Sequence, residues 1–182
     1  MDTDRILSLD IETSSSDLDG VLLSIGLVKL ATGENFYRQA KFRNGLFIKP
    51  ESMKVNSITI DQLDDKNLPT LEEMDKEIAQ WLGEGKYIAM GRGIGYFDMK
   101  FIHRDLPITS SHLERRVFDL TGFIFGIAQS TGRSFYDIRK DGFDYMSRKT
   151  HEKLPNLSQH HALWDAWSNV YALEYLTLLV KI

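Results

Sequence analysis

The chain has 182 residues, 42% hydrophobic and 26% charged, the composition of an ordinary globular protein and long enough for one domain spanning 1–182 to bury its own core. Its 22 Lys and Arg against 26 Asp and Glu leave a net charge of −4, which argues against a protein that grips a long duplex by neutralising phosphates. There is no cysteine, so disulfides, thiolate nucleophiles, iron–sulfur clusters and Cys-ligated zinc are excluded.

The longest apolar stretches, Val21–Leu30 and Val170–Val180, are interrupted by Lys29 and Glu174 and fall short of the ~18–20 residues that cross a bilayer. The opening Met1-Asp2-Thr3-Asp4-Arg5 is acidic where a secretory leader is basic. The expectation is a cytoplasmic protein with no membrane partner.

Taken in chain order, Ile6–Ile11 is a short apolar run ending in acids, and a polar turn over 14–20 separates it from Val21–Leu30, dense enough in Val, Ile and Leu for a central strand. A turn over 31–35 leads to loose alternation over Asn35–Lys49, ended by Pro50. Three strands joined by tight turns predict an antiparallel meander. The acid-rich stretch Asp61–Glu77 is read as a solvated face leading into and along the first helix. That helix starts near Thr70: Leu71, Met74, Ile78 and Trp81-Leu82 share a face, and Gly83 and Gly85 stop it.

Tyr87–Met90 predicts a fourth strand, Gly91–Gly95 a glycine-rich turn, Tyr96–Arg104 a short helix and Val117–Leu120 a fifth strand. From Thr121 to Asn156 the pattern is mixed, with short helices. His161–Leu179 closes the chain as a helix with Leu163, Ala166-Trp167, Val170, Leu173 and Leu176 along one face. A meander followed by β/α units gives an α/β class with helices against a mixed five-stranded sheet.

Four carboxylates stand out by position. Asp10 and Glu12, at i and i+2 on a strand end, leave the same face. Asp98 starts the short helix after the glycine-rich turn, and Asp165 lies in the first turn of the last helix. Each acid alone fits a solvated turn or a helix N-terminus favoured by the macrodipole. Brought to one sheet edge they repel: two like charges ~4 Å apart cost about 4 kcal/mol at an effective dielectric near 20. Two hard divalent cations, Mg²⁺ or Mn²⁺, resolve that conflict with oxygen ligands, and paired ions serve in-line phosphoryl displacement.

Leu9-Asp10-Ile11-Glu12-Thr13, Phe97-Asp98-Met99-Lys100-Phe101 and His160-His161-Ala162-Leu163-Trp164-Asp165-Ala166 resemble the three motifs of the DEDDh 3′–5′ exonucleases, the DnaQ-like group with a ribonuclease H-like fold. Val21–Val28, Ile48–Glu51 and Val117–Leu120 resemble flanking segments of that family, so the likeness runs over most of Ile6–Leu176. It implies that Asp10, Glu12, Asp98 and Asp165 are metal ligands, that His160 is the general base, and that Thr13 meets the terminal nucleotide. The implied partners are 3′ ends of single-stranded DNA or RNA, with nucleoside 5′-monophosphates as products. Two departures flank the motifs: Ser14-Ser15 stand where the family often has Thr-Gly, and Gly93-Ile94 where it often has His-Asn. Both bear on substrate preference.

A catalytically idle nucleic-acid-binding domain on the same fold is the alternative, and an internally cutting nuclease a third. A homodimer is open, with nothing in the sequence to support it. Helix geometry and the resemblance also choose different histidines. His161 is i, i+4 to Asp165 and on its face, whereas His160 lies about 140° away. The two agree if His160 precedes the helix, with Asn156 or Ser158 as a cap. Arg133–Lys153 carries net +2 and reads as a solvated loop or as a basic lip for the substrate backbone. Phe123, Phe125, Phe135 and Tyr136 are either core or stacking platforms for bases.

Overall fold

The structure, a computed structural model, describes residues 3–17, 19–41 and 47–180. An antiparallel meander, β1 (Ile6–Thr13), β2 (Leu22–Lys29) and β3 (Asn35–Gln39), is followed by α1 (Pro50–Asn56), α2 (Ile60–Leu63) and α3 (Leu71–Leu82). Next come β4 (Ile88–Gly91), α4 (Asp98–Asp105), α5 (Pro107–Ser111) and β5 (Phe118–Asp119). The helices α6 (Leu120–Thr131), α7 (Phe135–Lys153) and α8 (Ala162–Leu179) follow. The sheet order is β3-β2-β1-β4-β5. β1 pairs antiparallel with β2 and parallel with β4, and β4 is parallel to β5. The fold is therefore α/β with a mixed five-stranded sheet flanked by helices, as the sequence pattern predicts.

Several boundaries differ from the sequence expectation. The third strand ends at Gln39 instead of running to Lys49, and residues 42–46 lie outside the described residues. The acid-rich stretch overlaps α2 and the first part of α3, and each helix opens on a capping box, Thr59 with Gln62 and Thr70 with Glu73. The fifth strand shrinks to two residues because Asp119 turns the chain at once, its side chain accepting the Thr121 N–H as the cap of α6. The mixed region is two sustained helices, α6 and the 19-residue α7. The basic stretch thus lies largely on a helix and not in a loop.

Alternation along β1 divides the molecule. Leu7, Leu9 and Ile11 face a core shared with Met74, Ile78, Phe101 and Ile102 of α3 and α4. Burying each such large side chain stabilises the fold by about 1.5–3 kcal/mol. Ser8 and the two acids face α8, where the Ser8 hydroxyl donates to the Ala166 carbonyl at 2.7 Å. A second core, with Ile6, Met90, Leu120, Ile138 and Leu173, fills the space among the sheet, α6, α7 and α8.

α8 lies very close to the sheet because small residues meet there. Gly26 on β2 is the cross-strand partner of Asp10, and a Cβ at Gly26 would stand 2.3 Å from the Ala162 carbonyl carbon and oxygen. The buried stripe of α8 runs through Ala162, Asp165, Ala166 and Asn169, whereas Leu163 and Val170, assigned to the core face from periodicity, are half-buried.

Candidate active site

The acids converge where the parallel strands β1 and β4 end, the usual ligand edge of an open α/β sheet. Asp10 and Glu12 leave β1 on the α8 side, and the β1–β2 register shifts between Glu12 and Thr13, the kind of irregularity that re-aims side chains. Asp98 opens α4 and Asp165 sits in the first turn of α8. Asp98 and Asp165 are buried, Asp10 and Glu12 half-buried. All four, with His160, line a cleft of about 650 Å³. Glu12, His160 and Asp165 each offer a ligand atom within 4.8 Å of the others.

His160 precedes α8 in the left-handed region, at φ +66°, a conformation rare for a residue with a Cβ. Asp165 holds that turn, its Oδ2 accepting the His160 backbone N–H at 2.7 Å. The N-cap is His161, which makes no side-chain cap bond. Ser158 and Asn156 therefore do not cap the helix, because Asp165 reaches back to satisfy the turn instead. His161 is not among the residues lining the cleft, and its ring stacks on Tyr37, with centroids 4.3 Å apart. Its Nδ1 is buried without a partner among the described residues, and burial holds its pKa below the usual imidazole range.

Crowding dominates the electrostatics. Burial, then the charges of Asp165 and Asp98, push the Glu12 carboxyl up to about 8. Burial pushes Asp98 up to about 7 against the opposing hydrogen bonds of the Asp98 and Ile11 backbone N–H groups. Asp10 is raised well above the carboxylate range, first by burial and then by Asp98, Asp165 and Glu12. Burial also raises Asp165, with the Arg92 guanidinium opposing it most strongly. Acids held this close at such protonation cost are a hard oxygen donor set, with one imidazole beside them, that could hold a metal ion.

Arg92 is the site residue that pattern reading missed, since it looks like part of a glycine-rich turn. Thr13 is buried, its hydroxyl donating to the Ser15 carbonyl at 2.8 Å and its own carbonyl accepting from Asn56 at 3.2 Å. Ser14, in the first departure from the family pattern, donates to the Phe47 carbonyl at 2.7 Å and accepts from the Val21 N–H. In the second departure, the Gly93 N–H donates to Asp119, while Ile94 is fully buried core.

In the basic stretch, Arg133, just ahead of α7, and Arg148 and Lys149 on it pair with Asp141, Glu152 and Glu174. Arg139 is the cation of that stretch that lines the cleft, among the described residues. The aromatics divide. Phe123 packs on Phe118 in the second core, Phe135 lines the cleft and stacks on Phe125 at 4.1 Å, and Tyr136 is 75% exposed outside it. Phe143 and Tyr96 also line the cleft. The spacing Phe135, Arg139, Phe143 at i, i+4 and i+8 was the available signal for the first of these.

The mixed five-stranded sheet with its flanking helices is a ribonuclease H-like α/β fold. No family model matches the chain, and no curated protein matches it in sequence. Solved structures do. A moderately thermophilic exonuclease I from Methylocaldum szegediense superposes with a TM-score of 0.68 at 15% identity, over 94% of this chain and 40% of that one. A 3′-exonuclease that recognises the histone mRNA stem-loop gives 0.62 at 12% identity, over 99% and 65%. Cell-death related nuclease 4 gives 0.61 at 15% identity, over 96% and 64%. The chain spans about two fifths of the exonuclease I chain and just under two thirds of the other two.

Proposed function

We propose that the protein is a metal-dependent 3′–5′ exonuclease acting on single-stranded nucleic acid ends. The observation that carries this reading is the convergence of Glu12, His160 and Asp165 ligand atoms within 4.8 Å, in a cleft also lined by Asp10 and Asp98. Asp10, Glu12, Asp98 and Asp165 would hold two divalent ions, Mg²⁺ or Mn²⁺, whose chemistry is water activation and stabilisation of the oxygens of an in-line displacement. The names of the structural neighbours, exonucleases and a nuclease, support the class of reaction.

The chain's own residues then divide the work. Neutral His160 takes the proton of the attacking water, whose oxygen bonds to phosphorus as the P–O3′ bond breaks; the 3′ oxygen leaves and collects a proton from solvent. The product is a nucleoside 5′-monophosphate. The left-handed turn at His160 supports this role, since an imidazole nitrogen lies within 4.8 Å of ligand atoms of Glu12 and Asp165. Thr13, its hydroxyl engaged by the Ser15 carbonyl, would meet the terminal nucleotide through its backbone. The net charge of −4 suits an enzyme that grips an end and touches few phosphates.

Incubating linear and circular single strands of one sequence, as DNA and as RNA, with Mg²⁺ or Mn²⁺ tests the reading. Loss of linear strands with circles intact is the expected result. Cleavage of circles identifies an internally cutting nuclease, and binding without cleavage identifies an idle domain on the same fold.

A further inference from the structure

The Arg92 guanidinium stands inside the acidic cluster and takes no part in the chemistry proposed above. It follows β4 directly and makes contacts to one face of α8. Nε donates to Asn169 Oδ1 at 2.9 Å, Nη2 donates to Ser168 Oγ at 2.9 Å and to Asp165 Oδ1 at 3.3 Å, and Nη1 approaches the Met146 sulfur at 3.7 Å. Asp165, Ser168 and Asn169 fall at i, i+3 and i+4, so one planar fork meets all three.

Ser168 and Asn169 are buried to 1% exposure or less, where polar groups need partners. Asn169 also donates to the Leu9 carbonyl at 3.3 Å, immediately before Asp10. Arg92 is thus tied through Asn169 to the strand that carries two acids, and directly to the helix that carries a third.

We propose that Arg92 is a positioning residue that holds the Asp165 carboxylate in register with β1 and supplies the positive charge offsetting the four acids when no divalent ion is bound. The inference rests on the divalent-ion reading above. The Asp165 carboxylate is held at both oxygens, Oδ2 by the His160 N–H and Oδ1 by Arg92. The guanidinium also forms an ion pair with Asp165 at 3.3 Å. A divalent ion relieves the same repulsion more strongly. Arg92 and the ions therefore overlap in charge and differ in geometry, and loss of the guanidinium should make stability depend more heavily on metal.

The test compares melting of the full chain in EDTA and in saturating Mg²⁺ for the wild type, Arg92→Gln and Arg92→Lys, with kcat and KM alongside. The wild type should melt higher in Mg²⁺. Arg92→Gln should melt lower than wild type in EDTA and recover in Mg²⁺, its metal-induced rise exceeding that of the wild type by about 3 °C or more. If Arg92→Gln is unfolded in EDTA, restoration of a folded melt by Mg²⁺ supports the proposal and failure to restore it overturns it. Arg92→Lys keeps the charge and loses the fork, so its metal-induced rise should match the wild type while kcat falls at unchanged KM.

A deficit of Arg92→Gln that is equal in EDTA and Mg²⁺ means packing alone and overturns the charge role. A wild-type kcat in Arg92→Lys overturns the positioning role. A wild-type protein with no Mg²⁺ response contradicts the divalent-ion reading instead, so the two failures are told apart.

Discussion

Gly26→Ala tests how tightly the fold meters the site. The added Cβ would lie 2.3 Å from the Ala162 carbonyl carbon and oxygen and 2.4 Å from the Leu163 nitrogen, where ordinary contact begins at 3.4 Å. All three atoms are backbone, so no rotamer change relieves the clash, and the start of α8 must move off β2 by about 1 Å. Asp165 and the His160 turn move with it, while Asp10, directly across from Gly26, stays on the sheet. Overpacking of this kind costs about 1–3 kcal/mol, which a domain of this size survives. A displacement of about 1 Å in catalytic groups costs about 10²-fold in rate.

The assay is nucleotide release from a 3′-labelled single strand, with a thermal melt on the same preparation. The variant should fold, melt lower and lose about 10²-fold in kcat/KM. Gly122→Ala on α6, where a Cβ meets nothing within 4 Å, is the control and should gain about 0.5–1 kcal/mol at full activity. Gly26→Ala with activity within about 3-fold of wild type would refute the claim that the closeness of α8 to β2 sets the geometry of the acids.

Asp10→Asn should abolish turnover yet leave the metal-free protein as stable as wild type or more so, because it removes a charge from a mutually repelling cluster; unfolding of that variant in a melt would make Asp10 structural. The raised Glu12 carboxyl gives a pH signature in EDTA. Below its unfolded value of 4.5 it is protonated in both states and costs nothing, and between there and about 8 the unfolded state alone is ionised. Stability is therefore lost as pH rises through that window. The melting advantage of Glu12→Gln over wild type should grow from pH 5 to 8, and an advantage independent of pH would contradict the assignment. His160→Ala should lose about 10²–10⁴-fold in kcat, the range of a general base, and His161→Ala, whose ring stacks on Tyr37, much less. The reverse ranking by steady-state kinetics would move the base by one residue.

The acids were legible in sequence because each marks a junction: a strand end, a helix start after a glycine-rich turn, and the first turn of the last helix. Apolar runs joined by turns likewise found the meander, and the 3.6-residue period found α3 and α8. What escaped depends on contacts between distant segments. Arg92 looks like a turn residue until Ser168 and Asn169 are seen to hold it. Gly26 looks like a weak spot in a strand until α8 is laid against it. α1 and α2 are too short to show a period, and a long-range bond from Asn56 to the Thr13 carbonyl helps seat α1 beside the site. His160 takes a left-handed conformation ahead of α8, which a helix projection cannot register.

On the proposed function, the acids act with bound divalent ions to remove nucleotides one at a time from a 3′ end. The most direct measurement follows a single strand labelled at its 3′-terminal nucleotide, with metal-stripped protein, in EDTA and after Mg²⁺ or Mn²⁺ is restored. The account predicts no release in EDTA and, on metal addition, early appearance of labelled nucleoside 5′-monophosphate with no labelled oligonucleotide. Full-rate release in EDTA, or label appearing first in oligonucleotides, would contradict it.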